Sequence, residues 1–165
     1  MIETERLVLF EPRDSDVDAV AAYDARNEAR FERFDPAGAA GAIAAGYTLL
    51  AALHGEPTRV AGVVGFSGIS SDPDPSALFS FSIDGDCEGL GLAYEMTAAA
   101  IAHARSALGI RTLIAHHHPE NQRSAALLAR LGFHTEARLL DVPAAIAHLA
   151  RPQVMATLRL PAQSN

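Results

Sequence analysis

Two stretches of this chain carry groups that can do chemistry. The first is EGLGLAYE, Glu88 to Glu95, in which Gly89 and Gly91 alternate with leucines ahead of a run of helix formers. Positions without a Cβ let successive backbone N–H groups converge on an anion, and the dipole of the following helix favours negative charge there. A pyrophosphate is the usual occupant of such a cradle, but an isolated G-x-G can equally do no more than shape a turn. A Rossmann fingerprint fits poorly, because Tyr94 stands where the third glycine belongs, and no Gly-Lys-Ser/Thr completes a Walker loop. The second stretch is HHHPEN, His116 to Asn121. Strand alternation puts His116 and His118 on one face and His117 on the other. Near neutral pH an imidazole there can accept a proton from an amine, directly or through water, and it can equally just end a strand. His116 and His118 offer two metal ligands with no identifiable third, so no metal is expected.

These groups must be positioned by the surrounding elements. ERLVLFEP alternates Leu7 and Leu9 with less apolar neighbours and ends at Pro12, which predicts a first strand. Asp14 or Ser15 then caps a helix with Val17, Val20 and Ala21 among its apolar positions. DPAGAAGAIAAG predicts a loose turn and a weak short helix, and two strands around GEPT predict a hairpin. ALFSFSI is a further strand, leading into the glycine loop. The helix that follows has an apolar stripe of Leu92, Met96, Ala99, Ala100 and Ala107, and stops at Gly109. IRTLIAHH, FHTEARLL and QVMATLRL predict three more strands, and DVPAAIAHLARP a loop. Between the first two of these strands a helix begins at Asn121, a suitable N-cap, and ends before Gly132, which suits a left-handed position. This order indicates an α+β or α/β sheet covered by helices.

The bulk numbers set limits. One domain over residues 1–165 is the simplest organisation, long enough for a core without staples. A net charge of −7 argues against nucleic-acid binding, which needs a basic footprint, and leaves a small anionic ligand open. The single Cys87 cannot form an internal disulfide, and neither a signal peptide nor a membrane span is apparent, so a cytoplasmic protein without membrane contact is expected.

Taken together, several short motifs resemble the GNAT superfamily of acyl-CoA-dependent N-acetyltransferases, in particular its ribosomal-protein N-terminal acetyltransferase branch. They are TERLVLFEP at Thr4 to Pro12; the loop with Gly89, Gly91, Ala93 and Glu95; Pro119, Glu120, Asn121 and Ser124; and the LGF of Leu131 to Phe133. The resemblance implies a mostly antiparallel, splayed mixed sheet flanked by helices. It implies acetyl-CoA as cosubstrate and a primary amine as acceptor (a protein N-terminus, a small amine or an amino acid), and it allows a homodimer. Backbone amides of Glu88, Gly89, Leu90, Gly91, Leu92 and Ala93 would hold the pyrophosphate. Ser82 and Ile83 would pair through their backbone with the pantetheine arm, and Asn121 and Ser124 would reach the same molecule. From the residues alone, Asn121 can also be a plain cap, and Ser124 a hydroxyl closing that cap or bonding back along its helix.

The departures are as informative. Glu88 replaces the Arg or Gln of many members, Leu128 replaces a tyrosine general acid, and Leu78 replaces a glutamate base. His117 and His116 are therefore the candidate bases, with a backbone N–H between Ser82 and Asp84 as the natural oxyanion donor. A catalytically degenerate CoA-binding or regulatory module is the alternative. Arg26, Arg30 and Arg33 fall at helical spacing in the segment that lines the acceptor cleft of this family, and can pair with a substrate or form a solvated face with Glu28 and Glu32. Tyr94 and Met96 are expected in the core or on the helix surface.

Overall fold

The computed structural model describes residues 1–141, 143–149 and 151–161. Among these residues eight strands form one sheet: β1 (Ile2–Glu3), β2 (Leu7–Phe10), β3 (Gly46–Leu53), β4 (Gly62–Ser67), β5 (Ser76–Ile83), β6 (Thr112–His117), β7 (His134–Leu139) and β8 (Gln153–Arg159). Their order is β1-β2-β3-β4-β5-β6-β8-β7. Every neighbouring pair is antiparallel except β5 and β6. The α-helices of the described residues cover the sheet: α1 (Val17–Phe34), α2 (Gly38–Ala45), α3 (Leu92–Ser106) and α4 (Gln122–Arg130). A mostly antiparallel mixed sheet flanked by helices is what the motifs implied.

Strand alternation divides the core between the two faces. Leu49 and Ala51 of β3, Ala77 and Phe79 of β5 and Leu113 and Ala115 of β6 meet Leu92, Met96 and Ala100 of α3 and Leu128 of α4 in the larger cluster. On the opposite face, Val20 and Tyr23 of α1 and Ala39 of α2 pack with Leu50 and Val63. One expected core position is corrected. Ala107 is exposed just past the end of α3, and Ala104, one turn beyond Ala100, completes the buried stripe with Thr97. Thr97 is tolerated there because its hydroxyl donates to the Ala93 carbonyl at 2.7 Å. The segment between β7 and β8 contains one short 3-10 turn at Ala144–Ile146.

The feature that matters for function is where β5 and β6 part. Their parallel ladder runs from Ser76↔Thr112 to Phe79↔Ala115 and then stops. Beyond it, β5 stays paired with β4 as far as Ile83↔Gly62, and β6 stays paired with β8 as far as His117↔Val154. The sheet is therefore split along residues 80–83, and the β6-facing backbone of that stretch has no strand partner among the described residues.

Candidate active site

At the end of β5, Asp84 opens a 3-10 turn over Gly85–Cys87 by accepting the Asp86 N–H at 3.1 Å. Gly89 and Gly91 then have φ of 73° and 77°, in the left-handed region, and Gly91 is the N-cap of α3. A glycine cap has no side chain to offer, so the first-turn amides of α3 receive no side-chain cap. At α4 the contrast is direct, since Asn121 Oδ1 accepts the Ser124 N–H at 3.2 Å. Amides left in this way, beside positions with no Cβ, suit a phosphate.

The loop is fixed from behind by the N-terminal segment. Glu95, one turn into α3, accepts from the Thr4 hydroxyl (2.6 Å), the Arg6 N–H (2.7 Å) and Arg6 Nε (2.7 Å), while Arg6 Nη1 donates to the Leu90 carbonyl at 2.8 Å. Burial alone would raise the Glu95 pKa, but these donors hold it below the ordinary carboxylate value. Two motifs far apart in the chain thus form one clamp.

From the front, helix α1 reaches the loop through its arginines. Arg26 pairs with the buried Asp84 at 2.7 Å, and Arg30 donates to Asn27 Oδ1 (2.7 Å), the Ile83 carbonyl (3.0 Å) and Glu88. Arg33 reaches Glu120 at 3.2 Å. All three arginines are exposed, and among the described residues none pairs with Glu28 or Glu32: Arg26 and Arg30 turn to the end of β5 and the loop, and Arg33 to Glu120 ahead of α4. Glu88 also accepts from Arg123 at the start of α4, so its carboxylate sits between two guanidiniums.

A cleft of about 970 Å³ occupies the split in the sheet. Its walls come from both helix layers: Phe31 and Phe34 of α1 and Ala42 of α2 on one side, Tyr94 of α3 and Leu127 of α4 on the other. Among the residues singled out from the sequence, Ser82, Ile83, Glu88 and Gly89 line it. So do Gly91, Ala93, Asn121 and Ser124. Leu90 is exposed and Leu92 lies in the core, so either could contribute only its backbone. His116 and His117 stand at the inner end of the split, on the strand that borders it, and neither lines the cleft. Burial, then the neighbouring charge of His117, lowers the His116 pKa, and its Nε2 is buried without a hydrogen-bond partner among the described residues. His117 Nδ1 lies 3.0 Å from the His118 carbonyl.

Several cleft residues carry no sequence signal of their own. The Arg130 guanidinium stacks over the Tyr94 ring at 3.9 Å, and both face the cleft, which moves Tyr94 from the expected core or surface to the site. Asp35, at the end of α1, lines the opposite side, where burial raises its pKa and His148, 3.6 Å away, partly offsets the rise. Four arginines (Arg30, Arg33, Arg123, Arg130) and three carboxylates (Asp35, Glu88, Glu120) share the cleft, so it is locally basic on a chain of net charge −7. Leu78 and Leu128 bring no titratable group.

The profile of the acetyltransferase (GNAT) domain family matches residues 6–134. The chain belongs to that family. It is 34% identical over 83 residues to the ribosomal protein uS5 alanine N-acetyltransferase of Escherichia coli, a match covering 50% of this chain and 43% of that enzyme. The chain thus matches less than half the length of that curated relative. Among solved structures it superposes on RimL, a ribosomal-protein alpha-N-acetyltransferase in complex with coenzyme A, with a TM-score of 0.80 at 18% identity, over 97% of each chain. It superposes on a spermidine N-acetyltransferase from Vibrio cholerae, in complex with CoA and spermine, with a TM-score of 0.74 at 15% identity, over 94% of this chain and 96% of that one. Among the described residues no helix is long and apolar enough to cross a membrane, and no group of three or more His, Cys, Asp or Glu could hold a metal.

Proposed function

We propose that this protein moves an acetyl group from acetyl-CoA directly to a primary amine, with a protein N-terminus or a small amine as acceptor. The observation that carries the reading is the cleft through the split sheet, with the uncapped glycine loop at one mouth and the α1–α2 segment at the other. The loop amides from Glu88 to Ala93 would hold the pyrophosphate, with Arg123 and Arg130 adding charge. The backbone of Ser82 and Ile83 would pair with the pantetheine arm, and Asn121 and Ser124 would touch the same molecule. Holding thioester and amine together in the split supplies much of the rate by positioning. His116, whose pKa burial lowers, would take the amine proton through water, and His117 is the other candidate. Relatives that act on ribosomal proteins and the neighbour solved with spermine favour an amine acceptor.

Calorimetry with acetyl-CoA, followed by thiol release against a panel of peptide N-termini and polyamines, tests this. Absence of binding at millimolar acetyl-CoA would refute it. A His116→Ala loss of turnover with CoA affinity kept would identify the base. The alternative, a CoA-binding module without turnover, is favoured by Leu78, Leu128 and two histidines that do not line the cleft. Tight CoA binding with no thiol release from any amine would establish it.

A further inference from the structure

Tyr23 is the largest fully buried side chain of α1, with no accessible surface. Its phenol oxygen lies 2.8 Å from Ser82 Oγ, its one hydrogen-bond partner among the described residues. A buried phenol that left its proton unpaired would bear the full desolvation cost, so Tyr23 donates and Ser82 accepts. The charges of Asp84, Arg30 and Asp24 act on the phenol, and burial, the larger effect, keeps it protonated well beyond neutral pH. Tyr23 is thus a constant donor.

This fixes the Ser82 hydroxyl. Ser82 lines the cleft and stands on the part of β5 that has left β6, on the face where α1 and α2 lie. Its oxygen is occupied by Tyr23, and it makes no other side-chain hydrogen bond among the described residues. Its own proton is therefore the one it can offer to the cleft. Leu128 is buried in the core, and the Ser82 hydroxyl is a side-chain donor beside the proposed path of the thioester, in a cleft that Tyr94 and Ser124 also line.

We propose that Ser82 Oγ–H, held in orientation by Tyr23, donates a hydrogen bond to the sulfur of the leaving thiolate. The inference rests on the acetyl-transfer reading above. The amine nitrogen forms a bond to the thioester carbonyl carbon, the C–S bond breaks with its electron pair going to sulfur, and the amine's proton ends on the thiol. Ser82 stabilises the sulfur anion in between and keeps its own proton. Ser82 is then a catalytic residue and Tyr23 a positioning residue.

The test reads the thiol rather than the acceptor. Free CoA is bound to wild type, Ser82→Ala, Ser82→Thr and Tyr23→Phe, and the bound thiol is titrated by its ultraviolet thiolate absorbance. A charge-assisted hydrogen bond lowers the bound thiol's pKa, so Ser82→Ala and Tyr23→Phe should each raise it by about one unit, and Ser82→Thr should keep the wild-type value. CoA affinity by calorimetry should stay within about twofold in all four, since the phosphate contacts are untouched. Acetyl transfer should fall by about tenfold or more in kcat, with little change in KM, for Ser82→Ala. An unchanged thiol pKa in Ser82→Ala, or in Tyr23→Phe with only stability lost, would overturn the proposal. Failure of every variant and of wild type to bind CoA would defeat the acetyl-transfer reading and this inference with it. A shifted thiol with no amine accepted would support Ser82 and count against the acceptor class.

Discussion

Replacing Glu88 by glutamine should strengthen CoA binding. The carboxylate lies at the mouth of the phosphate loop, and both Arg30 and Arg123 are turned onto it. A phosphate arriving at the same amides meets a like charge and finds two guanidiniums already engaged. Unit charges about 4 Å apart interact by about 1 kcal/mol in water and about 4 kcal/mol near a protein surface. The Glu88 side chain is 25% exposed and Arg123 is 80% exposed, which places the repulsion toward the lower limit. Freeing two arginines that must then be reordered on the ligand costs about 0.5–1.5 kcal/mol each and offsets part of the gain. The charge-assisted bonds that the two freed guanidiniums make to the phosphates roughly match that cost, so the expected net is the relieved repulsion, about 1 kcal/mol, or roughly a fivefold lower Kd for CoA in Glu88→Gln. Isothermal calorimetry at 20–50 mM salt, about threefold to eightfold below physiological ionic strength, reads the difference where screening is weak. At about 1 M salt the Debye length falls to about 3 Å and the two proteins should converge. Weaker binding by Glu88→Gln at low salt, or a difference that ignores salt, would refute the reasoning and make Glu88 a ligand of the phosphates' counter-charges instead of their competitor.

Other predictions follow from the same contacts. Glu95→Ala removes the acceptor of three donors in the clamp and should lower stability by about 2 kcal/mol in urea titration, loosening CoA binding as Leu90 loses its support. Gly89→Ala places a Cβ in open space, so only its left-handed backbone resists; we expect a stability loss of about 1 kcal/mol and weaker CoA binding. Glu95 and Asp84 both sit below the ordinary carboxylate range, burial being outweighed in each by hydrogen bonds from Thr4 and Arg6 or from Arg26. Their contribution is therefore complete above the unfolded values, about pH 4, and is lost as pH falls through the folded ones, which urea midpoints at pH 7 and pH 3 will register. Asp35 has the opposite sign: burial raises its pKa, so the folded state pays for ionising it as pH rises, and Asp35→Asn should gain stability over wild type at pH 7 and lose that advantage below about pH 4.

The elements were legible because each has a local cause. Alternating Leu7 and Leu9, the helix stop at Gly109 and the cap at Asn121 are properties of a few neighbouring residues. The glycine loop was legible for the same reason, and Glu88 already stood out as an acid in the wrong place. What the order of residues does not carry is pairing across distance. That Glu88 would meet Arg30 and Arg123 depends on α1 and α4 arriving at the same loop from opposite faces. The arginines of α1 alternate with glutamates in a pattern that is locally self-sufficient, so nothing in that pattern pointed to partners in the β5–α3 loop. The Tyr23–Ser82 bond joins an apolar helix position to a strand serine, both of them unremarkable alone. The histidines show the converse, since strand alternation fixes their faces but not whether either reaches the cleft.

The four-pair ladder between β5 and β6 has a mechanical consequence. Strands β1 to β5 form one plate and β6 to β8 another, and among the described residues the backbone joins them along the sheet from Pro75 to Phe79. A ligand lying in the split would touch both plates and act as a rivet beyond the end of that seam. Its binding should then be felt as a gain in cooperativity between the two plates, with amide exchange slowing on β6 and β8 as well as on the loop that holds it.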